Sequence, residues 1–112
     1  MQVSIVVPVY NSAACLPELA RRVQQDVGAH FERYELILVN DNSPDNSWPI
    51  IAELAGQYDF ICGVNLRRNV GQDNAIMAGL HQARGEVTVI MDDDLQHDPA
   101  DILALYLSLI HI

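Results

Sequence analysis

The chain has 112 residues, half of them hydrophobic, and carries 15 acids against six arginines and no lysine, a formal charge of −9. That length makes one domain with a real core and leaves little room for disorder. The missing basic face argues against nucleic-acid binding, which needs clustered Lys or Arg to neutralise phosphates.

Val3 to Val9 is almost entirely β-branched and reads as a central strand buried on both faces, with Pro8 tolerated at its end. Tyr10-Asn11-Ser12 makes a turn, and Ser12 is placed to cap the next segment. From Ala13 to Val27, apolar residues recur at spacings of three and four, which predicts an amphipathic helix with Pro17 in its first turn and Gly28 at its end. Tyr34 to Asn40 is the second strand. Asp41 to Ser47 is a turn cluster rich in side chains that bond their own backbone. A helix from about Trp48 to Tyr58 follows, then a third strand from Phe60 to Leu66. The next helix, Gln72 to Ala83, is expected to turn Ile76, Met77 and Leu80 inward, with Gly79 permitting close packing. Val87 to Met91 reads as a buried fourth strand, and Pro99 starts a fourth helix.

Strand and helix units in succession with short loops predict an α/β fold, a Rossmann-like parallel sheet with helices on both faces. The expected strand order is 3-2-1-4, which puts the reversal between strands one and four. Ligands bind such sheets beyond the carboxyl ends of the strands, at that crevice. Tyr10 to Ser12, Asp41 to Ser43, Arg67 to Gly71 and Asp92 to Gln96 all fall on that edge.

Of these stretches, Asp92-Asp93-Asp94-Leu95-Gln96 carries the most chemistry. Alternation along a strand turns Asp92 and Asp94 to one side and Asp93 to the other. Two anions held that close repel, and a hard divalent ion such as Mg²⁺ or Mn²⁺ relieves the repulsion while taking oxygen ligands. Gln96 offers a neutral oxygen to the same ion. The competing reading makes Asp93, Asp94 and Asp98 solvated loop acids or helix caps. A second acid, Asp41, at the end of another apolar strand favours a shared rim over that reading.

A phosphoacceptor receiver domain would need acids after strands one and three and a lysine after strand five, and this chain has neither arrangement. Cys15 and Cys62 are far apart and form no CxxC pair, as expected of small buried hydrophobes in a reducing compartment. The chain opens without a basic leader and holds no apolar run near the ~20 residues of a membrane span, so a cytoplasmic location is expected. The stretch from Leu105 to Ile112 ends apolar and uncapped, which reads as a chain truncated at its C-terminus, a single partial domain over residues 1–112.

Four motifs in order, Val6-Val7-Pro8-Val9-Tyr10-Asn11, Leu38-Val39-Asn40-Asp41-Asn42-Ser43-Pro44-Asp45, Arg68-Asn69-Val70-Gly71 and Met91-Asp92-Asp93-Asp94-Leu95-Gln96, closely resemble the family 2 glycosyltransferases of GT-A fold. Within them the chain is most similar to the dolichyl- and undecaprenyl-phosphate branch, including the aminoarabinose-type transferases. The resemblance implies a nucleotide sugar donor, UDP- or GDP-linked, and a polyprenyl phosphate acceptor. It also implies Mg²⁺ or Mn²⁺ on Asp92, Asp94 and Gln96, with Asp92 and Asp94 as the catalytic pair. Nucleotide-sugar contacts fall on Pro8, Tyr10, Ser12, Val39, Asp41, Asp92 and Asp93. Membrane contact would come through a following C-terminal part, at the cytosolic face. Three departures stand out: Ser12 where relatives often have Glu, Asp93 where many have Ala, and Asn42 where Gly is usual. Asn can replace Gly where a turn needs positive φ. The alternative function is a nucleotide- and metal-binding half-domain with no turnover of its own.

Overall fold

In a computed structural model, which describes residues 1–93, 99–104 and 106, four parallel strands form one sheet in the order β3-β2-β1-β4. The strands are β1 (Val3–Val9), β2 (Tyr34–Asn40), β3 (Ile61–Asn65) and β4 (Val87–Ile90), and three main helices connect them: α1 (Leu16–Arg22), α2 (Ser47–Gln57) and α3 (Gln72–Gln82). The expected class, order and crossovers are all present, and β1 and β2 have the bounds that the sequence indicates.

Period-two alternation divides the core between the two faces of the sheet. Val3, Ile5, Val7 and Val9 of β1, with Leu36 and Leu38 of β2, face α1 and α2 and meet Leu16, Leu19 and Ile51. Val6, Ile37 and Val39 face the other way and meet Ala75 of α3. Because β1 and β2 are covered on both sides, their sequences are nearly unbroken in hydrophobicity.

The helix expected over Ala13 to Val27 spans that range in three hydrogen-bonding patterns: a 3₁₀ turn at Ala13–Cys15, α1, and a π turn at Val23–Val27. Ser12 does not cap it, since its hydroxyl makes no capping bond. Instead the Ala13 N–H donates to Asp45 Oδ2 at 3.3 Å.

The inward face of α3 differs from the expectation. Ala75 and Gly79 are buried, whereas Met77 is 53% exposed. The helix lies so close to the sheet that a methyl group on Gly79 would stand 2.5 Å from Val6 Cγ1. Only small side chains fit along that strip, so the larger Ile76 and Leu80 flank it half-buried and Met77 points away.

The fourth strand also departs from a fully buried reading. Val87 is buried in the core, but Thr88 and Ile90 are exposed. They share the face of their register partners Ser4 and Val6, where α3 packs over β1 and β2. After β4 in the chain, Pro99–Asp101 forms a 3₁₀ turn that leads into helical residues 102–104. There Ile102 and Tyr106 return to the core, and the Tyr106 ring meets Phe31 edge-on at 4.8 Å.

At the amino ends of the strands, Glu35 is buried and accepts from the Ser4 hydroxyl at 2.6 Å and the Arg84 N–H at 2.8 Å. Burial alone would raise its pKa, but these donors and the Arg84 guanidinium hold it below its ordinary value. This network fixes the rim opposite the candidate site.

Candidate functional site

The carboxyl ends of the strands frame a cleft of about 470 Å³, lined by Pro8, Val9 and Tyr10 after β1, Asp41 after β2, Asn69, Gly71 and Gln72 before and at the start of α3, and Asp92 and Asp93 after β4. It opens between β1 and β4, where the strand order reverses. Pro8 helps to create it. Gln2 and Val6 of the β1 segment offer their carbonyls to Val87 and Met91, so the even-numbered residues of β1 point their backbone groups toward β4. The N–H that Pro8 lacks falls on that side, just past the point where β4 leaves the sheet, and no ladder bond is lost.

Asp41 is 4% exposed and sits where β2 ends. Its Oδ1 accepts the Val70 N–H at 2.8 Å and its Oδ2 the Gly71 N–H at 3.1 Å, while its carbonyl takes the Asn69 side-chain amide at 3.2 Å. The carboxylate thus binds the amino end of α3, where exposed N–H groups and the helix dipole favour an anion. Gly71 has φ 89°, a left-handed conformation that its lack of a Cβ allows. Asn42 has φ 50°, so it does supply the positive φ expected of it in place of glycine.

Asp92 and Asp93 both line the cleft, which corrects the expectation that alternation sends them to opposite sides. Regular strand structure stops at Ile90, so the two-residue period no longer governs them. Asp93 Oδ2 accepts the Tyr10 N–H at 3.2 Å and the Ser12 hydroxyl. Asp94 and Gln96 lie outside the described residues, as does His97.

Of the other expected nucleotide contacts, Pro8 and Tyr10 are at the cleft, with Tyr10 46% exposed. Val39 has its side chain wholly buried under α3 and is absent from the cleft lining, because an inward position on a central strand faces a helix and not the strand's end. Ser12 is likewise not part of the lining and turns its hydroxyl to Asp93. Arg67 and Arg68 are exposed and make no ion pair among the described residues.

The sequence did not single out Gln72 as a lining residue, nor the part played by Asp45. Asp45 Oδ1 accepts from the Ser43 hydroxyl and from the Ser47 hydroxyl at 2.6 Å and N–H at 3.1 Å. Since Oδ2 also takes the Ala13 N–H, one carboxylate spans the starts of two helical segments. Burial would raise its pKa, but the serine donors outweigh this and lower it from 3.8 to about 2. The turn signal in Asp-Asn-Ser was legible; the choice of partner was not.

Among the described residues no group of three or more His, Cys, Asp or Glu could hold a metal by itself. The acids at the cleft are all hard oxygen donors, suited to Mg²⁺ or Mn²⁺ rather than to a thiolate-seeking ion. Asp41 and Asp93 use carboxylate oxygens to accept N–H and O–H donors, and Asp92 lines the same cleft. A diphosphate ligand would add oxygens of its own. The donor set therefore fits a cation bound jointly by protein and phosphate.

The fold and cleft define an open parallel α/β domain with a carboxylate-lined ligand site at its switch point. A family model described as glycosyl transferase family 2 matches residues 4–111, and the chain belongs to that family. It is 46% identical over 101 residues to an undecaprenyl-phosphate 4-deoxy-4-formamido-L-arabinose transferase of Shewanella sediminis, covering 89% of this chain and 30% of that protein. The transferase of the same description from Proteus mirabilis is 43% identical over 102 residues, covering 90% of this chain and 31% of its own length. The chain thus spans about a third or less of these curated relatives. Among solved structures, a Pyrobaculum calidifontis mannosyltransferase in complex with GDP-Man and Mn²⁺ superposes with a TM-score of 0.79 at 25% identity, covering 92% of this chain and 30% of that one. S. aureus TarS 1-349 in complex with UDP-GlcNAc gives the same TM-score and identity, covering 99% and 32%.

Proposed function

We propose that this chain binds the nucleotide diphosphate of a sugar donor for transfer of the sugar to a polyprenyl phosphate, of the undecaprenyl type. The observation that carries this reading is the cleft itself: Pro8, Tyr10, Asp41 and Asp92 converge on one crevice at the strand reversal in a chain of this family. Pro8 and Tyr10 would form the wall for base and ribose. Asp41 would hold the floor through Val70 and Gly71 and keep lone pairs for the ligand.

Asp92, with Asp94 and Gln96, would hold Mg²⁺ or Mn²⁺ on the diphosphate. A bound cation of this kind supplies charge neutralisation for a departing diphosphate. In the transfer, a phosphate oxygen of the acceptor forms a bond to the anomeric carbon as the bond from that carbon to the donor's β-phosphate oxygen breaks. The electron pair leaves with the nucleoside diphosphate, and a single displacement inverts the anomeric configuration. A phosphate monoester has its second pKa near about 6, so it attacks as an anion without a general base.

The reading of this chain as a partial domain that binds nucleotide and metal without turnover is favoured by its span of about 30% of the relatives' length. One experiment separates the two. UDP- and GDP-sugars are titrated with Mn²⁺ by calorimetry, and transfer to undecaprenyl phosphate is then assayed. Binding without transfer supports the binding-only reading, transfer supports the complete one, and no metal-dependent binding of either nucleotide overturns both. Among the described residues no helix is long and apolar enough to cross a membrane.

A further inference from the structure

We propose that Asp93 is a positioning residue, a latch that works with Ser12 to hold the Tyr10 loop against the cleft, and that it is not a metal ligand. The proposal rests on the nucleotide reading of the cleft. It starts from two residues, Ser12 and Asp93, which lie 81 positions apart and meet in space.

Asp93 Oδ2 receives two donors, the Tyr10 N–H at 3.2 Å and the Ser12 hydroxyl. The Ser12 Oγ also lies 2.9 Å from the Tyr10 carbonyl, but a hydroxyl has one proton, and a charged acceptor outcompetes a neutral one. The loop that needs holding is unusual: Asn11 takes φ 56°, which β-carbon residues seldom adopt. On its other side the Asn11 N–H donates to Ser43 Oγ at 2.8 Å. The loop is therefore pinned to the β2 loop at one residue and to the β4 end at its two neighbours. Tyr10 is otherwise 46% exposed, so little packing restrains it.

A carboxylate oxygen that accepts two donors has less capacity left for a cation. Coordination through that same Oδ2 would compete with the Tyr10 N–H, and the wall of the cleft would loosen as the ion bound. Asp93 thus shapes the ligand site through Tyr10 and leaves the ion to its neighbour Asp92.

The test uses the 112-residue chain with Ser12→Ala, Ser12→Thr, Asp93→Asn and the Ser12→Ala/Asp93→Asn double variant. Ser12→Ala and Asp93→Asn should each speed hydrogen exchange of the Tyr10 amide about tenfold and weaken UDP or GDP binding in Mn²⁺ by about five- to tenfold. The double variant should be no worse than the poorer single, because both act on one contact. Ser12→Thr, which keeps the hydroxyl, should retain wild-type values, and the Mn²⁺ concentration for half-maximal binding should not move in any variant. An unchanged Tyr10 amide in Ser12→Ala and Asp93→Asn would overturn the latch. A raised Mn²⁺ requirement in Asp93→Asn alone would overturn it too, making Asp93 a metal ligand. Failure of the wild-type chain to bind either nucleotide would instead sink the nucleotide reading, and the exchange measurement, which needs no ligand, would still decide the latch.

Discussion

Replacing Gly79 with alanine tests how tightly α3 is pressed on the sheet. On an open helix the change stabilises by about 0.5–1 kcal/mol, because alanine loses less backbone entropy than glycine. At Gly79 the added methyl would lie 2.5 Å from Val6 Cγ1 and 3.0 Å from Val39 Cγ2, against an ordinary carbon contact of about 3.5–4.0 Å. Val6 and Val39 are fully buried and β-branched, so neither can turn aside. The helix must lift by roughly 1 Å, which also loosens Ala75, and overpacking of this kind costs about 1–3 kcal/mol. The contact is severe enough to put the cost near the upper end, so the net effect is a loss of about 1–2 kcal/mol. Gly56 is the matched control. It lies on α2, with nothing within 4 Å of an added methyl, and Gly56→Ala should gain about 0.5 kcal/mol. Urea unfolding followed by the fluorescence of Trp48, the chain's one tryptophan, should show the two midpoints moving in opposite directions at an unchanged slope. A Gly79→Ala protein as stable as wild type would refute the close approach, and with it the account of why Met77 is exposed.

Three further outcomes follow from the site. Asp41→Ala removes the acceptor of two backbone N–H groups and should cost about 2–4 kcal/mol in urea midpoint, with Asp41→Asn losing about half of that; a loss under about 0.5 kcal/mol for either would contradict a structural role for this carboxylate. Asp45 has its folded pKa depressed to about 2 from 3.8, so its stabilising contribution is fully present above about pH 4 and disappears as the pH falls through 2. The stability gap between wild type and Asp45→Asn, read by thermal unfolding across that range, should therefore close with acid, and a constant gap would show that charge is not what ties the loops. Asp92→Asn should weaken nucleotide binding at least about tenfold in Mn²⁺, yet match wild type once the ion is chelated; a deficit that survives chelation would assign Asp92 a contact other than the ion.

The sequence made the sheet legible because short, nearly unbroken runs rich in β-branched and apolar residues report strand and two-sided burial together. Val3–Val9 and Tyr34–Asn40 appear with their bounds intact for that reason. Helix faces were less legible. In α3 the side chains that meet the sheet are the small ones, and hydrophobicity alone ranks Met77 above Ala75 when packing distance does the opposite. The exposure of Ile90 was hidden for a similar reason, since an apolar run does not say which neighbours cover it. At the site, residue type and position past a strand end brought Pro8, Tyr10, Asp41, Asp92 and Asp93 to one cleft. The partners of each acid were not legible, because Ser, Asn and Asp are interchangeable donors and acceptors until three-dimensional contact selects among them. Alternation failed at Asp92 and Asp93 because it is a property of regular strand, and the strand had already ended.

The Asp45 carboxylate joins the starts of two helical segments while Asn11 and Ser43 join the loops between them. Loops tied in this way cannot open one at a time, so the crevice arrives preassembled and a ligand need not organise it. Such a site forgoes induced closure among these elements, and ligand capture should follow a single exponential whose rate climbs linearly with ligand concentration and reaches no plateau.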